Sequence, residues 1–247
     1  MKNRMDRICD IHCHVLFGVD DGSKSFAQSR NMLKIACDEG IREIIATPHY
    51  NPGRWAFDSE HIKKCLQELN ECAVEINPEM KIHLGSEVFF CQDTLDDLTL
   101  EKIPTMANSR YVLLEFMPSV SYRKIQTAVL QVHQCDKIPI IAHVERYDCL
   151  LEDNNLISDL IELGAYIQVN ASSVTGENGR TAKHMVRELL KYHEVHFIAT
   201  DAHRDDIRSP RMRECAEYVA KKYGLEYANR IFYDNPYCII ENKLIEE

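Results

Sequence analysis

Short apolar segments alternate along the chain with longer stretches in which apolar residues recur every three or four positions. The short segments are rich in Ile and Val, as β-strands are, and the longer stretches have the period of amphipathic helices. Seven strands are expected, at residues 7–14, 41–47, 81–89, 111–116, 138–144, 165–170 and 195–200. Strands that alternate with helices predict an α/β fold with a parallel sheet, either open or closed into a barrel.

The predicted helices have recognisable ends. Ser25, followed by Gln28, has the spacing of a capping box and begins a helix that Gly40 ends. The next helix carries an apolar stripe at spacings of three and four, from Ile62 onwards, and stops at Pro78. Further helices are expected at residues 122–135, 155–163, 181–193 and 210–223.

Composition narrows the class of protein. No linker-like or low-complexity segment divides the chain, so residues 1–247 are expected to form a single domain. The net charge of −10 disfavours binding to nucleic acid or to anionic membranes. No apolar run is long enough to enter a membrane, and residues 1–10 lack the apolar segment of a secretory signal, so a cytoplasmic protein is expected.

The ten cysteines are spread along the chain without a CxxC pair, which is typical of reduced thiols in a cytoplasmic protein. None is followed by Arg six positions later, as the active-site loop of a cysteine-dependent phosphatase requires. Catalysis by a cysteine thiolate is therefore not expected.

Residues of the types that can bind metal ions stand at or just past the carboxyl ends of most predicted strands. Wound parallel sheets place their active and binding sites at this end. His12 and His14, two apart on a strand, project to the same face, whereas Cys13 points the other way. Gln168 and Asn170 end the sixth strand and are weaker ligands. The remaining side chains of this kind are His49, Glu87, Glu115, His143, Asp201 and His203.

Buried imidazoles and carboxylates need partners, and Glu87 and Glu115 lie in apolar segments with no Lys or Arg at a convenient spacing. Asp20 or Asp21, in a turn close to the first strand, is a further candidate, and the residues alone do not choose between the two. A set of imidazoles and carboxylates without thiolate suits Mn, Fe, Zn or Mg. Nine ligands are too many for one ion and about right for three.

Two arginines follow candidate ligands closely: Arg146 comes three residues after His143, and Arg208 comes five after His203. Three divalent ions among four carboxylates leave a cationic pocket, which suits a dianion such as a phosphate monoester. A guanidinium beside such a site matches phosphate oxygens. The pattern indicates metal-assisted hydrolysis of a phosphomonoester.

These motifs resemble the polymerase and histidinol phosphatase (PHP) superfamily and, within it, the CpsB-type bacterial protein-tyrosine phosphatases of capsule and exopolysaccharide systems. They occur in the order of the family and span nearly the whole chain. The matching segments are DIHCHVLFGVDDGSKS at 10–25, ATPHY at 46–50, GSEVF at 85–89, LLEF at 113–116, IAHVERY at 141–147, QVNASSVTGENG at 168–179 and TDAHRDDIRSPRM at 200–212.

The resemblance implies a distorted (β/α)7 barrel of the TIM-like PHP type with a trinuclear metal site, in which manganese is expected and Fe, Zn or Mg are alternatives. It selects Asp21 over Asp20 and assigns Arg146 and Arg208 to the substrate phosphate. Residues 50–55 depart from the more basic stretch of some relatives, which leaves peptide preference open. The implied metal ligands are His12, His14, Asp21, His49, Glu87, Glu115, His143, Asp201 and His203.

The resemblance also implies a phosphotyrosine protein as substrate, expected to be the C-terminal tail of a membrane tyrosine autokinase. Phe17, Tyr50 and Trp55 are candidate walls for the phosphotyrosine ring. Two alternatives stay open: a histidinol-phosphate or other small-molecule phosphatase of the same superfamily, and a metal-binding regulatory partner of a kinase without turnover. A nuclease is disfavoured by the net charge and by the lack of a basic stripe.

Overall fold

Nine strands form the centre of the fold in residues 6–55 and 57–246, the part of the chain that the computed structural model describes. All strand pairs are parallel; β1, β2 and β4 form one sheet, and β3, β5, β6, β7, β8 and β9 follow one another in a second. The strands are β1 (Ile8–Cys13), β2 (Ile41–Ala46), β3 (His49–Tyr50), β4 (Lys81–Leu84), β5 (Glu87–Phe89), β6 (Tyr111–Glu115), β7 (Ile138–Ile141), β8 (Tyr166–Asn170) and β9 (Phe197–Ala199).

Two strand segments are interrupted, and the prediction of one continuous strand over 81–89 is wrong. β2 passes into β3 through Thr47 and Pro48, and β4 passes into β5 through Gly85 and Ser86. The two breaks lie side by side, because β2 pairs with β4 and β3 with β5. A Cβ at Gly85 would lie 2.9 Å from Ile45 Cγ2, so a larger side chain would not fit at the break without a shift. The short strands after the breaks begin with the predicted ligands His49 and Glu87.

The first and last strands meet and close the curled sheet. Cys13 of β1 and Ala202 form an isolated parallel bridge. Beside it, the Asp201 N–H donates to the His12 carbonyl and the His14 N–H donates to the Ala202 carbonyl, both at 2.8 Å. With each interrupted segment counted as one strand, seven strands form a curled parallel sheet, the distorted α/β barrel that the sequence predicted.

Helices surround the strands. They are α1 (Phe26–Asp38), α2 (Ser59–Ile76), α3 (Gln92–Thr99), α4 (Tyr122–Gln134), α5 (Asp148–Glu152), α6 (Asn155–Glu162), α7 (Ala171–Thr175), α8 (Arg180–Lys191), α9 (Arg213–Tyr223), α10 (Leu225–Asn229) and α11 (Asn235–Ile240). Among the described residues, no helix combines the length and apolar character that crossing a membrane requires.

The start of α1 shows how local signals act. Ser25 Oγ accepts the N–H of Gln28 at 3.3 Å, as the capping box predicts. The Gln28 side chain, however, accepts the N–H of Lys24 at 2.8 Å instead of returning to Ser25. The cap therefore also orders the residue before the helix, in the loop that follows Asp21.

Two groups of apolar side chains form the core. The larger lies between strands and helices. The smaller takes alternate strand positions, such as Leu113 between Val112 and Leu114, and it fills the barrel interior. Cys13 belongs to the larger group, which confirms that it points away from the face of His12 and His14.

Candidate metal centre

All nine side chains that were predicted as ligands meet at the carboxyl end of the barrel. They form four overlapping groups, and within each group the possible ligand atoms lie within 4.8 Å of one another. Because the groups share members, they make one continuous cluster. The groups are His14, Asp21, His49 and His203; His12, His14 and Glu87; His12, His143 and Asp201; and His49, Glu87 and Glu115.

Glu87 lies at the centre of the cluster. Its Oε2 is 3.2 Å from both His12 Nε2 and His14 Nε2 and 3.1 Å from His49 Nδ1. Its Oε1 is 2.8 Å from His143 Nε2. Burial opposes the charged form, but the surrounding imidazoles outweigh it and hold the pKa of Glu87 well below its usual range. Glu87 is thus a buried carboxylate that stays ionised.

The two carboxylate oxygens of Asp201 lie near different groups. Its Oδ1 lies 3.5 Å from His12 Nε2 and 3.6 Å from His14 Nε2. Its Oδ2 contacts Arg146 Nη2 at 2.6 Å and Arg208 Nη2 at 2.9 Å. Burial opposes ionisation, yet the His12 charge and then the two arginines lower the pKa of Asp201. The two predicted arginines are therefore joined to the cluster through this carboxylate.

Glu115 and Asp21 lie at the more exposed side of the cluster. Glu115 Oε2 is 3.5 Å from His49 Nδ1, and burial followed by the charge of Glu87 raises the pKa of Glu115 to about 7. Asp21 Oδ1 lies 3.3 Å from His49 Nε2 and 3.5 Å from His203 Nε2. This oxygen is buried, although about half of the Asp21 side chain is exposed.

The arrangement fits divalent cations. His12 Nε2 and His14 Nε2 lie 3.3 Å apart and face the same Glu87 oxygen, so lone pairs of several groups converge on one point. Asp21 Oδ1 is buried, and among the described residues the two imidazoles within 3.5 Å of it do not make well-aligned hydrogen bonds to it. Such converging and unsatisfied groups are stabilised by a cation. With imidazole and carboxylate but no thiolate among the donors, the cluster suits Mn, Fe, Zn or Mg.

Asp20 contacts the side of the His14 ring that faces away from the cluster and orients that ring. His14 Nδ1 donates to Asp20 Oδ2 at 2.7 Å, which fixes the ring and leaves Nε2 directed at the cluster. Asp20 also accepts the backbone N–H groups of Gly22 at 2.8 Å and His49 at 3.0 Å. A carboxylate behind a histidine is a common support for a metal ligand. The structure thus places Asp21 in the cluster and Asp20 behind it, a division that the residues alone did not settle.

Gln168 and Asn170, the polar residues at the end of β8, contact three of the predicted ligands. Gln168 Oε1 lies 3.2 Å from His12 Nδ1 and accepts the N–H of His143 at 2.9 Å. Gln168 Nε2 donates to Asn170 Oδ1, and Asn170 Nδ2 donates to Asp201 Oδ2 at 3.0 Å. Sequence reasoning treated these amides as weak ligands, whereas the structure gives them contacts that position His12, His143 and Asp201.

Three residues of the site have a strained backbone conformation. His143, Asp201 and Arg208 have φ angles of 33°, 52° and 61°, in the left-handed region that side chains disfavour. Each such residue costs about 1–3 kcal/mol and persists only where its surroundings fix it. The predicted strand over 138–144 is too long for this reason: β7 ends at Ile141, and a 3-10 turn, Val144–Arg146, follows His143 and brings Arg146 to Asp201.

A small cavity of about 160 Å³ opens over the cluster. It joins a larger groove of about 900 Å³, which shares Arg146, Asp201 and Arg208 with it. The residues that line the small cavity are Asp21, His49, Asn51, Arg54, Trp55, Glu87, Glu115, Arg146, Asp201, His203 and Arg208.

Of the three aromatic residues expected to wall this cavity, Trp55 alone lines it. Tyr50 donates its hydroxyl to Asp97 Oδ2 at 2.8 Å and packs its ring on Phe57. Phe17 packs edge-on against Phe26 and His61. Phe17 and Tyr50 are therefore packing residues.

The sequence is similar to proteins of a known family. The model of the family described as "Capsular polysaccharide synthesis, CpsB/CapC" matches residues 8–241. The chain belongs to this family. It is 36% identical to the tyrosine-protein phosphatase CpsB of Streptococcus pneumoniae over 241 residues, which are 96% of this chain and 99% of that protein.

Solved structures agree. A crystal structure from work on YwqE of Bacillus subtilis and CpsB of Streptococcus pneumoniae, described as metal-dependent tyrosine phosphatases, is similar with a TM-score of 0.89 and 28% identity, covering 97% of this chain and 96% of that one. Histidinol phosphate phosphatase of Lactococcus lactis matches at a TM-score of 0.60 and 19% identity, over 88% of this chain and 94% of that one, which shows a shared fold. The resemblance to CpsB-type PHP proteins is confirmed.

Proposed function

We propose that this CpsB/CapC family member is a metal-dependent protein-tyrosine phosphatase of a capsular or exopolysaccharide system. The observation that carries the proposal is the cluster of nine imidazoles and carboxylates, to which Arg146 and Arg208 are joined through Asp201. Such a site suits the hydrolysis of phosphate esters, and the relatives CpsB and YwqE, which are 36% and 30% identical to this chain, are tyrosine-protein phosphatases.

We propose the nine clustered side chains as ligands for three divalent ions, with manganese the expected metal. The donor count supports three ions, because nine nitrogen and oxygen donors exceed what one or two ions hold while keeping open positions for substrate. When bound, the ions lower the pKa of water and offset negative charge on the phosphoryl group. Asp20, Gln168 and Asn170 keep the ligands oriented for this purpose.

Arg146 and Arg208 are proposed to bind the phosphoryl oxygens. Each guanidinium gives one Nη to Asp201 and keeps further N–H groups for the cavity, and their side chains are 37% and 44% exposed. Fixed donors of this kind stabilise charge that develops on the phosphoryl oxygens in the transition state. Tyrosinate, with a reference pKa of about 10, leaves more readily than a serine alkoxide.

The proposed substrate is a phosphotyrosine segment of a protein, the C-terminal tail of a membrane tyrosine autokinase. The solvent exposure of both arginines supports a substrate held at the surface rather than enclosed. A cytoplasmic location is proposed as well, supported by the ten cysteines, all of which are free thiols.

The test of substrate class compares kcat/KM for a phosphotyrosine peptide, the matched phosphoserine peptide and histidinol phosphate, with one manganese-loaded preparation. The phosphotyrosine peptide is expected to be the best substrate. A tenfold or larger advantage for histidinol phosphate would assign the alternative small-molecule activity. No turnover of any of the three would favour a regulatory metal protein.

Metal content is tested separately. Elemental analysis of protein purified without chelator is expected to give about three divalent ions per chain, and chelation is expected to abolish activity. Glu87→Gln, at the centre of the cluster, should lower the metal content, whereas Glu79→Gln, at an exposed pair with Arg7, should not. Full activity in metal-free protein would overturn the proposal.

A further inference from the structure

The small cavity over the cluster has one apolar side chain. Of the residues that line it, all except Trp55 are charged or polar. The polar groups meet the phosphate, which phosphotyrosine and phosphoserine share. They bind the two esters alike, so they add nothing to the easier departure of tyrosinate. Discrimination through binding must come from a group that contacts the carbon atoms of the leaving group.

Trp55 is placed beside the cluster by its own loop. The carbonyl of Asn51 accepts the N–H groups of both Arg54 and Trp55 at 3.1 Å, which forms a single turn after β3. Gly53 lies within that turn at a φ of 85°, a value that glycine adopts without strain. The loop therefore has a defined conformation that fixes where the indole lies.

The indole is aligned with a predicted ligand. Its plane is within 6° of the His49 ring, and the ring centroids are 6.3 Å apart. The Arg54 guanidinium lies 5.5 Å from the centre of the indole, in the range of a cation–π contact. Trp55 remains only half-buried, so part of the ring is accessible from the cavity.

We infer that Trp55 is the specificity-determining residue, a platform against which the aromatic ring of an aryl phosphate packs while Arg146 and Arg208 hold its phosphate. The inference rests on the proposed phosphatase function and deepens it. Aromatic rings pair favourably in offset or edge-to-face arrangements and bury a large apolar area. The ring of phosphotyrosine gains this contact, whereas the side chain of phosphoserine is too short to reach it.

The test uses three variants of the metal-loaded protein. Trp55→Ala is expected to lower kcat/KM for a phosphotyrosine peptide roughly tenfold, mainly through KM, and to change the value for the matched phosphoserine peptide much less. Trp55→Phe, which keeps an aromatic ring, should restore most of the preference. Tyr192→Ala removes an exposed ring elsewhere and serves as the control.

Binding is measured without turnover. Trp55 is the single tryptophan of the sequence, so its fluorescence reports on this cavity alone. Phenylphosphonate, whose C–P bond resists hydrolysis, is expected to change the emission at saturation more than inorganic phosphate does. An equal response to both, or an unchanged phosphotyrosine-to-phosphoserine ratio in Trp55→Ala, would overturn the inference. Lack of phosphotyrosine activity in the unmodified enzyme would instead overturn the proposed function.

Discussion

Arg146 donates from Nη2 to Asp201 Oδ2 at 2.6 Å, while the other oxygen of Asp201 is turned toward His12 and His14. The carboxylate of Asp201, a proposed metal ligand, is thus also the partner of Arg146, which is proposed to bind the substrate. The sequence shows Arg146 only as a near neighbour of His143, three residues after it. The contact is expected to couple substrate binding to the geometry of the proposed metal centre.

We expect Arg146→Ala to lower kcat by about 10²–10³, the effect of losing a donor to transition-state charge. Because Asp201 also loses a charge-assisted hydrogen bond, metal retention should weaken during dialysis. Steady-state kinetics and elemental analysis on the same sample separate the two effects. Arg7→Ala, at an exposed ion pair with Glu79, is the control. An unchanged kcat would make Arg146 a structural residue.

Asp20→Asn should weaken metal binding about 10–100-fold, because the amide cannot carry the charge that supports His14. Competition with a chelator of known affinity measures the effect. Asp205→Asn, at a carboxylate that contacts Gln28 and Asn31 on the surface, is the matched control. Equal metal affinity in both variants would remove Asp20 from the site.

Gly22→Ala is expected to disturb the loop that carries Asp21. A Cβ at Gly22 would lie 2.4 Å from the His14 carbonyl oxygen and 2.5 Å from His14 Cβ, so the backbone must shift. Overpacking of this kind costs about 1–3 kcal/mol, and activity should fall with metal content. At Gly179 an added Cβ meets nothing within 4 Å, although the φ of 94° strains any side chain, so Gly179→Ala should lose stability and yet keep its metal. Two equally active variants would contradict the close approach.

Stability should fall in mild acid partly because of His196. Burial, and then the charge of Arg230, lower the pKa of His196 to about 4, from about 6.5 when unfolded. Between these values the unfolded chain binds a proton that the folded chain does not, so stability decreases as pH falls from about 6.5 to 4, by up to about 3 kcal/mol.

Urea unfolding of metal-free protein at pH 7 to 4 checks this expectation. His196→Gln should flatten the curve, whereas His184→Gln, at an exposed position of α8, should reproduce that of the unmodified protein. Parallel curves for all three proteins would show that His196 does not contribute.

Activity should survive alkylation of accessible thiols under native conditions, because no cysteine acts as nucleophile. Cys13 lies between two predicted ligands, yet it packs in the core, and burial followed by the charge of Asp10 raises its pKa well above the usual range. Mass spectrometry of the alkylated protein and the residual activity give the answer. Inactivation that parallels modification of one cysteine would contradict the metal mechanism.

Local signals in the sequence predicted local structure well. Ser25 caps α1, and Pro78 follows the end of α2. The rule that parallel sheets place sites at their carboxyl ends identified eight of the nine clustered residues, and the family resemblance added Asp21. The break at Gly85 was missed because apolar strand-like residues lie on both sides of it, although glycine commonly marks an irregular strand.

Contacts between distant positions lay beyond sequence reasoning. Asp20 and Asp21 are adjacent in one turn, and their surroundings give them different roles. The Asp20 carboxylate contacts His14 Nδ1, whereas the Asp21 carboxylate belongs to the cluster. The contact of Arg146 with Asp201 joins residues 55 positions apart. Tyr50 was predicted to line the cavity, but its contacts with Asp97 and Phe57 place its side chain outside the cavity lining.

The bridge from Cys13 to Ala202 also has a consequence for the order of events during synthesis. The two residues are 189 positions apart, and His12 and His14 lie on one side of the seam while Asp201 and His203 lie on the other. A nascent chain therefore carries its first two histidines without their partners until nearly all of it has left the ribosome. Loading of the proposed metal centre is then expected to be a late step, and bound ions would link the first and last strands where the fold closes last.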